Sequence, residues 1–275
     1  MTKILVTGSS GFIGTQVIEA LDKSEVITDT INSKRIDLQK LEEVMKLDAS
    51  DIVIHLGGKT IKELEWDEYF NNNVLGTLNV LEYCIKKKIK KLIFVSSYVY
   101  GNPKYSPIDE KHPISPHSSY TKSKYFAEQL CELYAKNFNL NVIILRPFNI
   151  FGKTLPNDFL ISNLFNSTKS NKKIIIVNKN SKRDFLHVKD FVDVILKIKD
   201  YDVKFEIFNV GSGKSYSFNE VIKKIEKITS KKINLEYKQN EENFIENIKA
   251  DISKINNAIG WNPKMSFEEG LQKCQ

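Results

Sequence analysis

Disulfide chemistry has almost nothing to work with in this chain. Its 275 residues hold three cysteines, Cys84, Cys131 and Cys274, which are far apart and odd in number. They form no CxxC pair and show no metal-ligand spacing, so neither a disulfide framework nor a metal site is expected, and a reducing compartment, the cytoplasm, is. Long apolar runs are missing too: none approaches the length of a membrane span. Met1-Thr2-Lys3 leads straight into an apolar strand, leaving no room for a secretory leader. There is no internal repeat and no low-complexity segment.

Charge is not balanced, and the net +7 raises the question of nucleic acid. The lysines are spread along the chain, with one dense run at Lys86-Lys87-Lys88-Ile89-Lys90-Lys91. That run falls where a helix should end, and cations favour a helix C-terminus. It reads as a solvated cap, and no nucleic-acid partner is expected. The length suits one large α/β domain or a domain with a smaller lobe, and 41% hydrophobic with 27% charged residues is ordinary for a globular chain.

What is present is an alternation of strands and helices. Ile4 to Thr7 reads as a buried strand, followed directly by Gly8-Ser9-Ser10-Gly11-Phe12-Ile13-Gly14 and then by Ile13, Val17 and Leu21 at helical spacing. Glycines between a strand and a helix permit a tight turn and let backbone N–H groups approach a pyrophosphate at the positive helix end. A second strand, Glu25 to Thr28, is expected to end at Asp29, whose carboxylate would bind a ribose 2′-hydroxyl. This favours NAD, while Lys34 and Arg35 close by would suit the extra phosphate of NADP. Asp37-Leu38 reads as the next loop, as a contact to adenine or as a simple turn. A third strand, Asp51 to Leu56, stops at Gly57-Gly58, where backbone must come close to something, and His55 within it reads as a core histidine. Val74, Leu78, Leu81 and Ile85 mark a helix, with Asn71 to Asn73 as candidate caps and Asn73 also able to point inward. Leu92 to Val95 ends in Ser96-Ser97, and Leu140 to Leu145 ends in Arg146-Pro147-Phe148-Asn149. Such alternation predicts an α/β fold, a Rossmann-type doubly wound parallel sheet covered on both faces. Ligands of such sheets bind beyond the carboxyl ends of the strands, where Gly8, Asp29, Gly57, Ser96 and Asn149 fall.

Beyond Gly152 the strands shorten and the pattern changes. The expected division is a dinucleotide-binding domain over residues 1–152 and a smaller α/β substrate lobe over 153–275, interleaved with the end of the sheet. Within the first, Ser118-Ser119-Tyr120-Thr121-Lys122-Ser123-Lys124 opens a helix. Tyr120 and Lys124 are four apart and so share one helix face. A phenol at its ordinary pKa of about 10 is a poor acid–base catalyst near neutrality, and a neighbouring ammonium is what would lower it. Ser96, where a strand finishes, offers a second hydroxyl, giving Ser96, Tyr120 and Lys124 as the candidate catalytic set.

Gly8-x2-Gly11-x2-Gly14, Ser96-Ser97-Tyr98-Val99-Tyr100-Gly101, Tyr120-x3-Lys124, Arg146-Pro147-Phe148-Asn149 and Arg183-Asp184-Phe185-Leu186-His187-Val188, in this order, resemble the extended short-chain dehydrogenase/reductases that modify nucleotide sugars. The resemblance implies nicotinamide cofactor on Gly8, Gly11, Phe12, Ile13, Gly14, Asp29, Asp37, Leu38, Leu56, Gly57, Gly58, Asn73, Tyr120 and Lys124. It implies sugar-nucleotide contacts from Ser97, Asn149 and Arg183, with Arg183 and Asn149 on the diphosphate. In the family the hydroxyl five residues before the glycine of the Val-Tyr-Gly turn is the catalytic one, which here is Ser96. Hydride would move between the sugar C4 and the nicotinamide while Tyr120 transfers the hydroxyl proton. The acid pair of the 4,6-dehydratases is replaced by Ser97 and Tyr98, which disfavours dehydration and leaves epimerisation, the reading preferred here, or 4-keto reduction. A catalytically inactive cofactor sensor on the same fold is the alternative of another class. Glu241-Glu242-Asn243 stands where many members place a second arginine. The family often dimerises through a four-helix contact that includes the Tyr120 helix, so a homodimer is implied.

Overall fold

The apolar runs become strands with both faces covered. The computed structural model describes residues 2–22, 27–31, 36–60, 65–157, 159–239 and 247–275, with residues 27–31 described by their backbone. Chain order is β1 (Lys3–Thr7), α1 (Phe12–Asp22), β2 (Ile27–Ile31), α2 (Leu41–Val44), β3 (Ile52–His55), α3 (Trp66–Tyr69), a π-helical segment (Phe70–Leu75), α4 (Gly76–Lys86), β4 (Lys91–Val95), α5 (Ser119–Asn137) and β5 (Asn141–Pro147). There follow β6 (Asn149–Phe151), α6 (Leu160–Ser170), β7 (Ile174–Val177), β8 (Lys182–His187), α7 (Val188–Ile198), β9 (Phe205–Val210), β10 (Ser215–Ser217), α8 (Phe218–Thr229), β11 (Leu235–Lys238), α9 (Ser253–Ile259) and α10 (Phe267–Gln272).

The main sheet runs β2-β1-β3-β4-β5-β9. Its first five strands pair in parallel, with Leu5 opposite both Asp29 and Val53. One face, carrying Leu5, Val53, Leu92, Phe94, Val142 and Ile144, packs with Val80, Leu81 and Cys84 of α4 and Ala127, Cys131 and Tyr134 of α5. The alternate residues Ile4, Val6, Ile54, Ile93 and Ile143 are also fully buried, so the opposite face is covered as well. Because β1 lies between β2 and β3, the chain reverses direction across the sheet there. The crevice at such a switch point is where doubly wound sheets take their ligands.

Two compact units account for the chain. The first is Met1–Gly101, Ile114–Pro147 and Val192–Phe208; the second is Asn102–Pro113, Phe148–Phe191 and Asn209–Gln275. Residues 192–208 belong to the first unit and 102–113 to the second. The second unit holds a three-stranded sheet, β10-β8-β6, and a two-stranded one, β11-β7. Its core stacks Phe185 and Tyr216 on Phe267, at ring centroid distances of 5.3 and 4.4 Å.

Three local expectations change. Asp29 is the third residue of β2, inside the strand and not at its end. The asparagines do not cap a helix start, since helical backbone already runs from Trp66 and passes through them as a π-helical segment. The lysine run is partly absorbed into the fold: Lys90 pairs with Asp51, and buried Lys91 donates to the carbonyls of Lys199 and Tyr201 and pairs with Asp202. Among the described residues no helix is long and apolar enough to cross a membrane.

His55 is a core residue, as expected. Its Nδ1 lies 2.6 Å from Thr7 Oγ1 and its Nε2 3.0 Å from Thr77 Oγ1, and burial with the charge of Lys124 pushes its pKa down to about 3. The folded protein therefore keeps His55 neutral while the unfolded chain takes up a proton below about 6.5. Stability should be lost as pH falls from about 6.5 towards about 3, at roughly 1.4 kcal/mol per pH unit. Urea midpoints across this range should fall less steeply for His55→Leu than for the wild-type chain, whatever the offset at neutral pH.

Candidate active site

Local sequence explains where the reactive side chains stand. Ser118 and Thr121 form a reciprocal capping box: Ser118 Oγ accepts from Thr121 N–H at 3.1 Å, and Thr121 Oγ1 accepts from Ser118 N–H at 3.1 Å. This starts α5 just before Tyr120 and sets Lys124 one turn further along. Lys124 is buried, and its ammonium lies 4.3 Å from the centre of the Phe94 ring of β4. A side chain at Gly58 would bring its Cβ to 4.0 Å from the same nitrogen, so the β3 turn closes over it. Asn73 fastens that turn to α5, accepting from Lys59 N–H and donating to the Lys59 carbonyl and to Ser123 Oγ.

The electrostatics differ from the expectation. Tyr120 is half-buried, and desolvation raises its pKa, opposed by a hydrogen bond from Ser97 and assisted by the nearby Tyr69 phenol. The lysine does not pull the phenol down here. It is instead destabilised in its own right, with burial lowering its pKa to about 8. Helix spacing places both groups on one face, but the longer lysine side chain extends to Phe94 and the Gly58 turn. Ser97 acts to lower the phenol's pKa, while Ser96 Oγ is buried and has no hydrogen-bond partner among the described residues. A buried hydroxyl left bare costs free energy unless something else satisfies it. Tyr69, whose ring centre is 6.1 Å from that of Tyr120, was not anticipated; its only sequence signal is its position one helical turn before Asn73.

The glycine turn is built for close approach. Gly8 has φ +70°, and a Cβ there would lie 2.8 Å from Gly57 N, so the β1 and β3 turns touch through bare backbone. A Cβ on Gly14 would collide with the Gly8 carbonyl. The first turn of α1 contains no acidic residue, and its leading N–H groups have no partner within the helix. Phe12 and Ile13 are half-buried beside them, as is Leu56. These features fit a bound pyrophosphate. Leu38 packs over Gly57, and Asp37 accepts the Gln39 N–H at 3.0 Å, which is turn chemistry. The Asp29 side chain, Lys34, Arg35 and Glu241-Glu242-Asn243 lie outside the described residues.

The model of the NAD dependent epimerase/dehydratase family matches residues 4–211. The chain belongs to that family. NAD is the family's cofactor, and the α/β fold with its parallel sheet is the fold of its solved members. UDP-glucose 4-epimerase 2 of Arabidopsis thaliana is 27% identical, over 97% of this chain and 92% of that protein. The structure of MoeE5 in complex with UDP-glucuronic acid and NAD superposes with a TM-score of 0.93 at 26% identity, over 98% of this chain and 97% of that one. UDP-glucose 4-epimerase of Thermotoga maritima with UDP-glucose gives 0.90 at 26% identity, over 99% and 97%.

In the second unit of this family member, Asn149 and Arg183 lie on neighbouring strands. Asn149 Nδ2 donates to the Asp184 carbonyl at 2.9 Å, while the Arg183 guanidinium donates to the Lys182 carbonyl and lies 5.2 Å from the Phe218 ring. Asp184 does not act as a surface partner for Arg183. Its carboxylate accepts from Ser212 N–H and Oγ and from the Gly213 and Ala250 N–H groups, and burial raises its pKa to about 6.

Gly14→Ala should disturb the turn without unfolding the chain. Calorimetric titration should show NAD affinity weakened about tenfold or more, on the order of 1.4 kcal/mol, with an unchanged circular dichroism spectrum. Unaltered affinity in a folded variant would remove the pyrophosphate from this turn.

Proposed function

We propose that this chain interconverts C4 epimers of a UDP-hexose, holding NAD at Gly8, Gly11 and Gly14 and using Tyr120 as the proton-transferring group. The observation that carries this reading is the trio on the first unit: a phenol whose pKa is raised by burial, with Ser97 opposing the rise, a buried Ser96 hydroxyl with no partner among the described residues, and a desolvated Lys124 on the same helix. The names of the relatives and the UDP-sugars in the solved structures support the substrate class.

Bound NAD supplies the site where hydride from C4 is held and from which it is returned. The chain's own residues do the rest. Tyr120 removes and restores the proton of the 4-hydroxyl, and Ser96 gives its hydrogen bond to the reacting oxygen. Ser97 acts to lower the pKa of the phenol in the resting protein. Lys124 holds the cofactor ribose. Arg183 offers a planar fork suited to diphosphate oxygens, and Asn149 is its neighbour for the same group. The residues after Ser96 are Ser97 and Tyr98, neither of them a carboxylic acid, which argues against expulsion of water.

Tyr120→Phe should keep NAD binding and lower kcat by about 10²–10⁴. Ser96→Ala should cost about 10² or more, and Ser97→Ala less. Incubation with UDP-glucose, following product sugar and reduced cofactor together, tests the reading. Consumption of NADPH with a 4-keto sugar and no isomerisation of the plain substrate would sink it.

A homodimer is part of the same proposal. Trp66, Phe70, Phe126 and Leu133 are exposed, with the Trp66 ring 6.1 Å from that of Phe126. Phe126 and Leu133 are seven apart and so share a face of α5. Light scattering should report a dimer that Phe126→Glu with Leu133→Glu converts to monomer. The free thiols of all three cysteines are consistent with the cytoplasm as its compartment.

A further inference from the structure

A buried ionic cluster lies one helical turn beyond Lys124. Arg146 of β5 donates Nε to Glu128 Oε1 at 3.0 Å and Nη2 to Glu128 Oε2 at 2.6 Å, and its Nη1 donates to the Tyr100 hydroxyl at 2.9 Å. The two charged side chains are 4% and 3% exposed. Burial works against the Arg146 charge, and pairing with Glu128 outweighs it, holding the guanidinium above its ordinary range. Three elements meet here: α5, which carries Tyr120 and Lys124; β5; and the turn Ser96 to Gly101, which carries both serines.

Replacing such a pair by apolar side chains of similar volume is often neutral for stability, so stability alone gives little reason for it. Its placement gives a better one. Resting on the reading of Tyr120 and Lys124 as the working pair, we propose that the Glu128–Arg146–Tyr100 network is the positioning element of the site, fixing α5 against the serine turn and supplying the negative charge that keeps Lys124 an ammonium ion.

Two groups on its own helix act against burial of Lys124, Cys131 first and Glu128 second; burial holds the Cys131 thiol neutral, so the fixed negative charge is the Glu128 carboxylate paired with Arg146. From β3 and β4 come His55, which burial keeps neutral, and the Phe94 ring; from the loop after β3 come Gly58 and the Asn73 amide that anchors it. On its own helix stand Tyr120, one turn before, whose phenol is held in its neutral form, and Cys131, whose thiol is pushed well above its ordinary range by burial. Glu128, four residues after Lys124 on the same face, acts on the ammonium to raise its pKa against desolvation.

The test uses the full chain with carbon-labelled lysine, read by NMR titration of Lys124, together with the pH profile of kcat/KM. Glu128→Gln should move the Lys124 midpoint down by about one pH unit, and the alkaline limb of the profile should move with it. Glu128→Leu with Arg146→Met removes the pair together and guards against an unpaired buried arginine; it should fold with a wild-type melting temperature and still shift both readings downward. A folded variant of either kind with wild-type Lys124 titration overturns the proposal and leaves the pair a structural brace. Should the wild type fail to epimerise nucleotide sugars, the proposed function falls, while the lysine titration still decides this inference.

Discussion

Burial of β1, β3, β4 and β5 on both faces is the constraint from which the rest of the first unit follows. Strands covered on both sides have no polar side chains to spare along their length, so polar chemistry is displaced to where the strands end. At those ends the backbone must turn into helices at close quarters. Gly8 and Gly57 meet there with 2.8 Å between a hypothetical Cβ and the facing nitrogen, which leaves no room for side chains. What those ends carry is bare backbone N–H at the start of α1 and the hydroxyls of Ser96 and Ser97 after β4.

The same dryness governs the acid–base groups. Tyr120 and Lys124 are both pushed towards their neutral forms, one upward and one down to about 8, because the site offers little water to either charge. Nearby charges gain leverage in such surroundings, since their fields are weakly screened. The arrangement separates two jobs that a sequence motif merges. The phenol is perturbed by burial, by Ser97 and by Tyr69, and the ammonium is lodged between Phe94 and the turn fastened by Asn73.

The second unit solves a different problem. Its strands are short and its sheets small, so its order comes from stacked aromatic rings and from one buried carboxylate. Asp184 collects donors from Ser212, Gly213 and Ala250, chain segments far apart in sequence, and so holds the strand that bears Arg183. The acidic residue beside Arg183 thus serves the backbone.

Much of this was legible beforehand, for reasons specific to each element. The strand–glycine–helix order of residues 4 to 21 and the four-residue spacing of Tyr120 and Lys124 are local patterns, and local steric rules suffice to interpret them. His55, flanked by apolar residues, was readable as core on the same grounds. Alternation of strand and helix determined the doubly wound sheet, because a two-sided apolar strand has few other ways to be covered. What only the tertiary structure decided depends on distance across the fold. It set the direction in which the Tyr120 phenol is perturbed and which of two adjacent serine hydroxyls is left without a partner among the described residues. It assigned residues 102–113 to the second unit, and it joined Glu128 to Arg146 across eighteen residues of chain. Desolvation and pairing of charge are properties of what surrounds a group in space, and neighbours in space are not written in the spacing of neighbours in sequence.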